Sequence, residues 1–519
     1  MRLLSRLLVA LVICLIAIAL PPGSVQAYGE EIVLSPSSGV PGEKITVYGF
    51  NFTPDKMVDI YYYPNDDEEW VEDIPTRTDG SFIVTFTIRE SYTGYHRVLA
   101  DEVGSTIYAA TYFNVKPGLT VSPEEGTVGT NVTVEGHGFA EEEEHIKVYF
   151  NGEMVPVNIP PADEYGSWET SFPIPPSARK SYKIDARGDD SSFSQVKDAT
   201  FEVTPGISLD ELSGSVGDNI TMTGNGFTAG ERDIKILFDG EVVEVNTDIR
   251  ADDKGYWPAI FQVPEMPKGT YSVTAEGEWT DKEDITPHSF EIKPCLVLSP
   301  VEGHVGMNLT VTGHGFDASK DVVIKYDGRH KATASTNASG SFSGVSFLVP
   351  EGIHGAHYVT AEVGGVTETT AIFTMESVPP GTPNLISPPD RDRVGFIGKQ
   401  RPTFEWSEVS DDSGVRYSLQ IATSTNVTDT GFIDDLVFSD DGLVETSYKL
   451  NKTALDYGTY YWIVRAVDRA GNAGNWTVAY SFRVGILPLW AFIVIIVAIV
   501  AGIGTAVYFF VIRKRIYYY

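Results

Sequence analysis

One nineteen-residue phrase is written four times in this 519-residue chain, and it leaves few folds open. At Leu298–Phe316 it reads LSPVEGHVGMNLTVTGHGF; the other copies are Leu34–Phe52, Val121–Phe139 and Leu209–Phe227. The first glycine of each copy falls at Gly39, Gly126, Gly214 and Gly303, in steps of 87, 88 and 89 residues. That period is too long for a solenoid repeat and suits a small self-contained domain. The chain reads as a string of beads.

Within each copy apolar and polar residues alternate, as at Val132 and Val134 or Leu309 and Val311, the period of a half-buried strand. Paired glycines follow (Gly136 and Gly138, Gly224 and Gly226, Gly313 and Gly315), as expected where a tight turn or bulge needs positive φ. The next aromatic, Phe139, Phe227 or Phe316, is then free to turn back into a core. Asn151-Gly152, Asp239-Gly240 and Asp327-Gly328 lie between alternating runs and predict hairpins with primed turns. A Gly-x-aromatic turn recurs at Gly80–Phe82, Gly166–Trp168, Gly255–Trp257 and Gly340–Phe342. Beads one to three each end in a proline joint with little slack: Val115–Gly118, Val203–Gly206 and Ile292–Cys295.

These beads resemble IPT/TIG domains, the immunoglobulin-like fold shared by plexins, some transcription factors and many bacterial surface proteins. The Ser-Pro-x-x-Gly-x-x-Gly opening and the Thr-Val-x-Gly-x-Gly-Phe close, as at Ser299–Phe316, carry the likeness, which covers roughly Glu31–Met375. Copy three departs from it with Asp210-Glu211 in place of Ser-Pro, and copy one with Gly49-Phe50-Asn51-Phe52 at the close. After a proline-rich linker at 376–383, residues 384–484 resemble a fibronectin type III module, with Tyr460, Trp462, Val464 and Ala466 alternating onto one face. The resemblance implies an all-β fold of tandem Ig-like β-sandwiches. Four are IPT/TIG-like, at 28–117, 118–205, 206–294 and 295–375, and one is fibronectin III-like.

The ends follow other rules. Residues 1–27 carry Arg2 and Arg6, an apolar run and a small-residue exit at Ala27, the pattern of a secretory signal peptide. Cys14 is no lipoprotein cysteine, because apolar residues continue beyond it. Residues 486–512 are uncharged and long enough for a transmembrane helix. Arg513, Lys514 and Arg515 then put the seven-residue tail 513–519 in the cytoplasm and the beads outside the cell. A mature chain with Cys295 as its one cysteine forms no intrachain disulfide, a composition more usual in a prokaryotic surface protein than in an animal receptor. The ectodomain holds 33 basic against 71 acidic residues, a net charge of −38 that repels nucleic acid and attracts cations.

No G-x-S-x-G, H-E-x-x-H or phosphate-loop pattern occurs, and sandwiches of ordinary size account for the whole ectodomain, so we expect no enzyme and no organic cofactor. Clustered acidic loops are the candidates for calcium: Asp66, Asp67 and Glu68; Asp411 and Asp412; Asp468, with Asn472 nearby. Glu141–Glu144 and Asp252-Asp253 are further acidic loops, and solvated turns are the plain alternative for all of them. The histidines (His137, His304, His314, His330, His354, His357) read as turn-lining, and Arg187-Gly188-Asp189 as a chance tripeptide. Eight Asn-x-Ser/Thr sequons are present, three of them (Asn131, Asn219, Asn308) at one repeated place; alternating strands also produce polar-x-Thr without any glycan.

The expectation is a membrane-anchored rod for adhesion or recognition of a glycan, an envelope protein or a neighbouring cell. The alternative is a purely structural envelope or spacer protein. Tyr61, Tyr62, Tyr63 and Trp70 in bead one are the candidate ligand contacts, since exposed tyrosine and tryptophan anchor interfaces or stack on sugars.

Overall fold

Alternating side chains with short turns produce paired β-sheets throughout. The computed structural model describes residues 29–63, 69–245, 247–432 and 434–513; residues 1–28 (the expected signal peptide), 64–68, 246, 433 and 514–519 lie outside it. Among the described residues there are five three-stranded and five five-stranded sheets, one of each per bead, and one small two-stranded sheet in bead five. Contacts divide the chain into two compact units. One holds Met1–Asp210, Ile220–Phe261 and Ser272–His288; the other holds Glu211–Asn219, Gln262–Tyr271 and Ser289–Tyr519.

In the first unit, bead one sets the pattern. Its three-stranded sheet has Lys44–Phe50 at the centre, flanked by Glu31–Ser35 and Phe82–Thr87. The facing sheet runs Ser38–Gly39, Tyr108–Val115, Gly94–Glu102, Met57–Tyr62, Glu69–Pro75. Its first pair is parallel and the others antiparallel. Bead two repeats this order, and its predicted alternation holds: Val132, Val134, Phe139, Ile184 and Phe201 are buried between the sheets. Asn151 and Gly152 both have positive φ, as do Asp239 with Gly240 and Asp327 with Gly328, so the primed hairpins form as expected.

The paired glycines divide their labour. A Cβ on Gly136 would lie 2.0 Å from the Trp168 indole, so this glycine makes room for the aromatic of the Gly-x-aromatic turn. Only the second glycine takes positive φ, 67° at Gly138. Bead one places Asn51 there (φ 62°), which explains how its altered close is tolerated. The two motifs are therefore two halves of one packing contact.

In the second unit, beads four and five show the same strand order, including a parallel pair of Glu302–Gly303 with Val366–Met375 and of Asp392–Val394 with Tyr480–Val484. The linker after Met375 is not slack. The Asn472 amide donates to the Glu376 carbonyl, and the Pro380 carbonyl lies against Gly474, where a Cβ would come within 2.6 Å. An apolar helix, Leu489–Ile512, is long enough to cross a membrane; Pro488 precedes it, so it starts three residues later than the expected span.

A further relationship recurs in every bead. The third residue of one long strand reaches back to the carbonyl four residues earlier. Tyr182 donates to Ala178, Tyr271 to Pro267 and Tyr460 to Asp456 through their hydroxyls, while His96 and His357 bond Tyr92 and Ile353 through Nε2. This is the tyrosine corner of Ig-like sandwiches, with histidine substituted in beads one and four.

Candidate functional site

Period two decides which bead-one aromatics face solvent. On Met57–Tyr62 the odd residues point outward, so Tyr61 is half-buried on the outer face while Tyr62 is 2% exposed and bonds the Ser91 hydroxyl. Tyr62 is a core residue, which corrects its expected place among the ligand contacts. Tyr63 lies just past the strand under the Arg97 guanidinium, 5.7 Å from its ring centroid. Trp70 stands opposite Tyr61 in the register.

The same outer face carries tyrosines that sequence reasoning passed over. Tyr95 is 75% exposed, Tyr108 60% and Tyr112 59%. Arg97 is paired with Tyr112, Asp101 with Tyr108 and Leu99 with Tyr61. The signal was available in the alternation of Tyr95-His-Arg97 and Tyr108-Ala-Ala-Thr-Tyr112, where every second residue must leave the core. Five tyrosines and one arginine thus share the outer face of the five-stranded sheet.

The expected acidic loops resolve differently from one another. Asp66, Asp67 and Glu68 lie outside the described residues. Glu143 is buried: its carboxylate accepts the Ala140, Asp190 and Ser191 amides and the Ser191 hydroxyl, and Glu231 fills the same role in bead three. Asp252 accepts the Lys254 and Tyr256 amides as a turn cap. These carboxylates hold their own loops together.

Asp411 and Asp468 do come together, with Glu376 as a third member that sequence spacing could not supply. One oxygen from each lies within 4.8 Å of the others. Asp412 is exposed and is not one of the three. Asn472 donates to Asp468 Oδ2 at 2.7 Å, the Ser413 amide to Asp411 Oδ1 at 2.9 Å, and the Ser413 hydroxyl to Glu376 Oε1 at 2.5 Å. Burial pushes the Asp411 carboxyl above its usual range, and the charges of Asp468, Glu376 and Asp412 push it further. Three oxygens of this kind could hold Ca²⁺ between the exit of bead four and the loops of bead five.

Each joint has a common latch. In the first unit the Thr93 amide donates to the Phe139 carbonyl and the Arg179 amide to the Phe227 carbonyl; in the second the Lys268 amide donates to the Phe316 carbonyl. The aromatic that closes the repeated phrase is thus also the acceptor for the preceding bead. His354 plays the donor's part toward Ala470 of bead five. Charge pairs reinforce these latches: Glu90 with His137, Arg179 with Asp284, Lys268 with Glu368, Glu351 with Arg416.

The remaining candidates are absorbed by the fold. His357 is buried against Asp327, and His314 bonds the Ser341 hydroxyl. In the Arg187-Gly188-Asp189 tripeptide the guanidinium stacks on Tyr149 and Phe193, and the carboxylate pairs with His145. Cys295 is a free, half-buried cysteine whose thiol burial pushes up.

Strand order, hairpins and the recurrent corner define a protein of tandem Ig-like sandwiches. Residues 119–203, nearly all of bead two, match the model of the IPT/TIG domain family. No curated protein matches the chain. Similar solved structures include a tetra-tandem repeat from the extending region of a large adhesion protein (14% identity, 67% of this chain and all of that one, TM-score 0.18). Another is the N-terminal eight Ig domains of the Down syndrome cell adhesion molecule (13%, 88% and 60%, TM-score 0.17). A third is the Bacteroides ovatus mixed-linkage glucan protein SGBP-B with a heptasaccharide (10%, 68% and 92%, TM-score 0.20). At such scores none of them says anything about this chain's ligand.

Proposed function

We propose that this chain is a membrane-anchored surface protein that recognises an extracellular ligand, a glycan or an envelope protein, through the outer face of bead one. The observation that carries this is the gathering of Tyr61, Tyr63, Tyr95, Tyr108 and Tyr112 with Arg97 on one face, in the bead farthest along the chain from the apolar helix. Tyrosine offers broad contact area with little rotamer entropy to lose, and its ring stacks on a pyranose as readily as on a protein surface. In this reading the chain is not an enzyme, the helix is its single-pass anchor, and beads two to five position bead one. Calcium, if bound, enters at Glu376, Asp411 and Asp468.

The repeated latches favour a second reading, in which the beads serve only as an envelope or spacer component. Beads coated with residues 28–485 distinguish the two. Retention on immobilised polysaccharides or whole envelopes that is saturable, and lost in the Tyr95→Ala/Tyr112→Ala variant, supports recognition. Equal retention of both proteins, or none at high coating density, sinks it and leaves the spacer.

A further inference from the structure

The sequons are the sequence feature that the recognition reading leaves unused. The chain has 16 asparagines, and eight of them (Asn51, Asn131, Asn219, Asn308, Asn337, Asn426, Asn451, Asn475) are followed at the second position by Ser or Thr, with no intervening proline. Ser and Thr together are 82 of 519 residues, so chance supplies about two or three such matches. Counting the repeated position once still leaves six among fourteen. Strand alternation explains polar-x-Thr at the repeat, but not the excess in the loops around Asn337, Asn426, Asn451 and Asn475.

All eight of these asparagines are exposed. In beads one to four, Asn51, Asn131, Asn219 and Asn308 sit on, or one residue past, the central strand of the three-stranded sheet. Asn131, Asn219 and Asn308 each open that strand. Their outer flank is clear because the neighbouring strand bonds only from Thr133, Thr221 and Thr310 onward. Among the described residues none of these three amides has a hydrogen-bond partner. Across the other flank, Asn308 faces Leu348, which is 65% exposed and gives a first sugar an apolar surface to lie on.

We infer that the ectodomain is N-glycosylated, with Asn131, Asn219 and Asn308 carrying one glycan per bead on the outer face of the three-stranded sheets. The donor class is an oligosaccharide esterified to a polyprenol phosphate or diphosphate. The asparagine Nδ2 attacks the sugar C1, a C1–N bond forms and the C1–O bond to phosphate breaks. The lipid phosphate leaves with the electron pair, and the amide gives up one proton to the transferase's base. In beads one to three this chemistry is confined to the three-stranded side. It leaves the tyrosine face of the five-stranded sheet uncovered.

The full chain, extracted from the membranes of its native cell and digested, tests this by peptide mass spectrometry, against the same chain made in a host without an oligosaccharyl transferase. Sugar mass on the peptides containing Asn131, Asn219 and Asn308 is expected, and is lost from the first in Thr133→Ala, which keeps the asparagine. Recovery of all three native peptides only at their unmodified masses overturns the inference. The readout is a mass, so it stands or falls separately from ligand binding.

Discussion

His137 Nδ1 lies 2.9 Å from Glu90 Oε1, joining the phrase that closes the first strand pair of bead two to the loop between Phe82–Thr87 and Gly94–Glu102 of bead one. His137 Nε2 is 2.9 Å from the Thr120 hydroxyl, Glu135 stands 3.7 Å from the ring, and Ser167 donates to the other Glu90 oxygen. The Glu90 hydrogen bond raises the His137 pKa above 6.5, against the opposing effect of burial. Burial pushes the Glu90 carboxyl up, but its bond to His137 and the attendant charge leave it below 4.5.

The sign of the pH effect follows. A raised histidine contributes stability that is full below 6.5 and is lost as pH rises through its folded value. A lowered carboxyl contributes stability that is full above 4.5 and is lost as pH falls through its own folded value. The latch is therefore tightest between pH 4.5 and 6.5. Hydrogen exchange at Thr93, whose amide donates to Phe139, should lose protection severalfold from pH 6 to 8 after correction for intrinsic rates. His137→Phe should flatten the profile; an unchanged slope in that variant would mean the latch does not titrate through this residue.

Gly136→Ala should destabilise bead two by about 3 kcal/mol, near the top of the range for overpacking a dense core. The new Cβ would meet the Trp168 indole at 2.0 Å, and that ring is buried against Phe139 with nowhere to retreat. Adding Trp168→Leu should recover part of the loss. Denaturant melts of the two variants check this, and a Gly136→Ala protein as stable as its parent would refute the role given to this glycine.

Much of this architecture was legible in advance, because it rests on local rules. Val132 and Val134 alternate inward, Asn151-Gly152 turns the chain, and Phe139 enters the core, each as its own neighbours dictate. Three features were read less well. Glu376 and Asp411 are 35 residues apart in the chain, Glu143 looks like any other member of its acidic run, and Tyr62 differs from Tyr61 only by strand phase. Which carboxylates converge is set by pairing between distant strands, whereas which tyrosine of the Tyr61–Tyr63 run emerges is set by the phase of its own strand. The tyrosine corner was available in principle, since Gly-Thr-Tyr and Lys-Ser-Tyr open equivalent strands, but histidine in beads one and four obscures the pattern.

Tyr182→Phe should cost bead two about 1 kcal/mol, the usual net contribution of one hydrogen bond. The ring keeps its stacked contact with Phe150, and the bond from its hydroxyl to the Ala178 carbonyl is lost. His96→Phe in bead one should cost about as much, because His96 Nε2 lies 2.7 Å from the Tyr92 carbonyl and the phenyl ring has no donor to replace it. A His96→Phe protein as stable as its parent would show that histidine does not take over the corner's role in bead one.

The carboxylates between beads four and five should make stability depend on divalent cations. Because its folded pKa is raised, Asp411 contributes stability that is present below 3.8 and is lost as pH rises through the folded value. At neutral pH without cations, the three charges repel across a linker that Asn472 and Ser413 hold in place. Asp411→Asn should then raise the melting temperature of this region in chelator by ~1–2 °C. In Ca²⁺ at about 1 mM, the range in which extracellular modules bind it, the order should reverse, with the parent gaining stability and the variant not. Calorimetry of residues 28–485 in the two buffers reads both effects. If calcium shifts parent and variant alike, the cation acts elsewhere, and these three residues are a strained joint rather than a metal site.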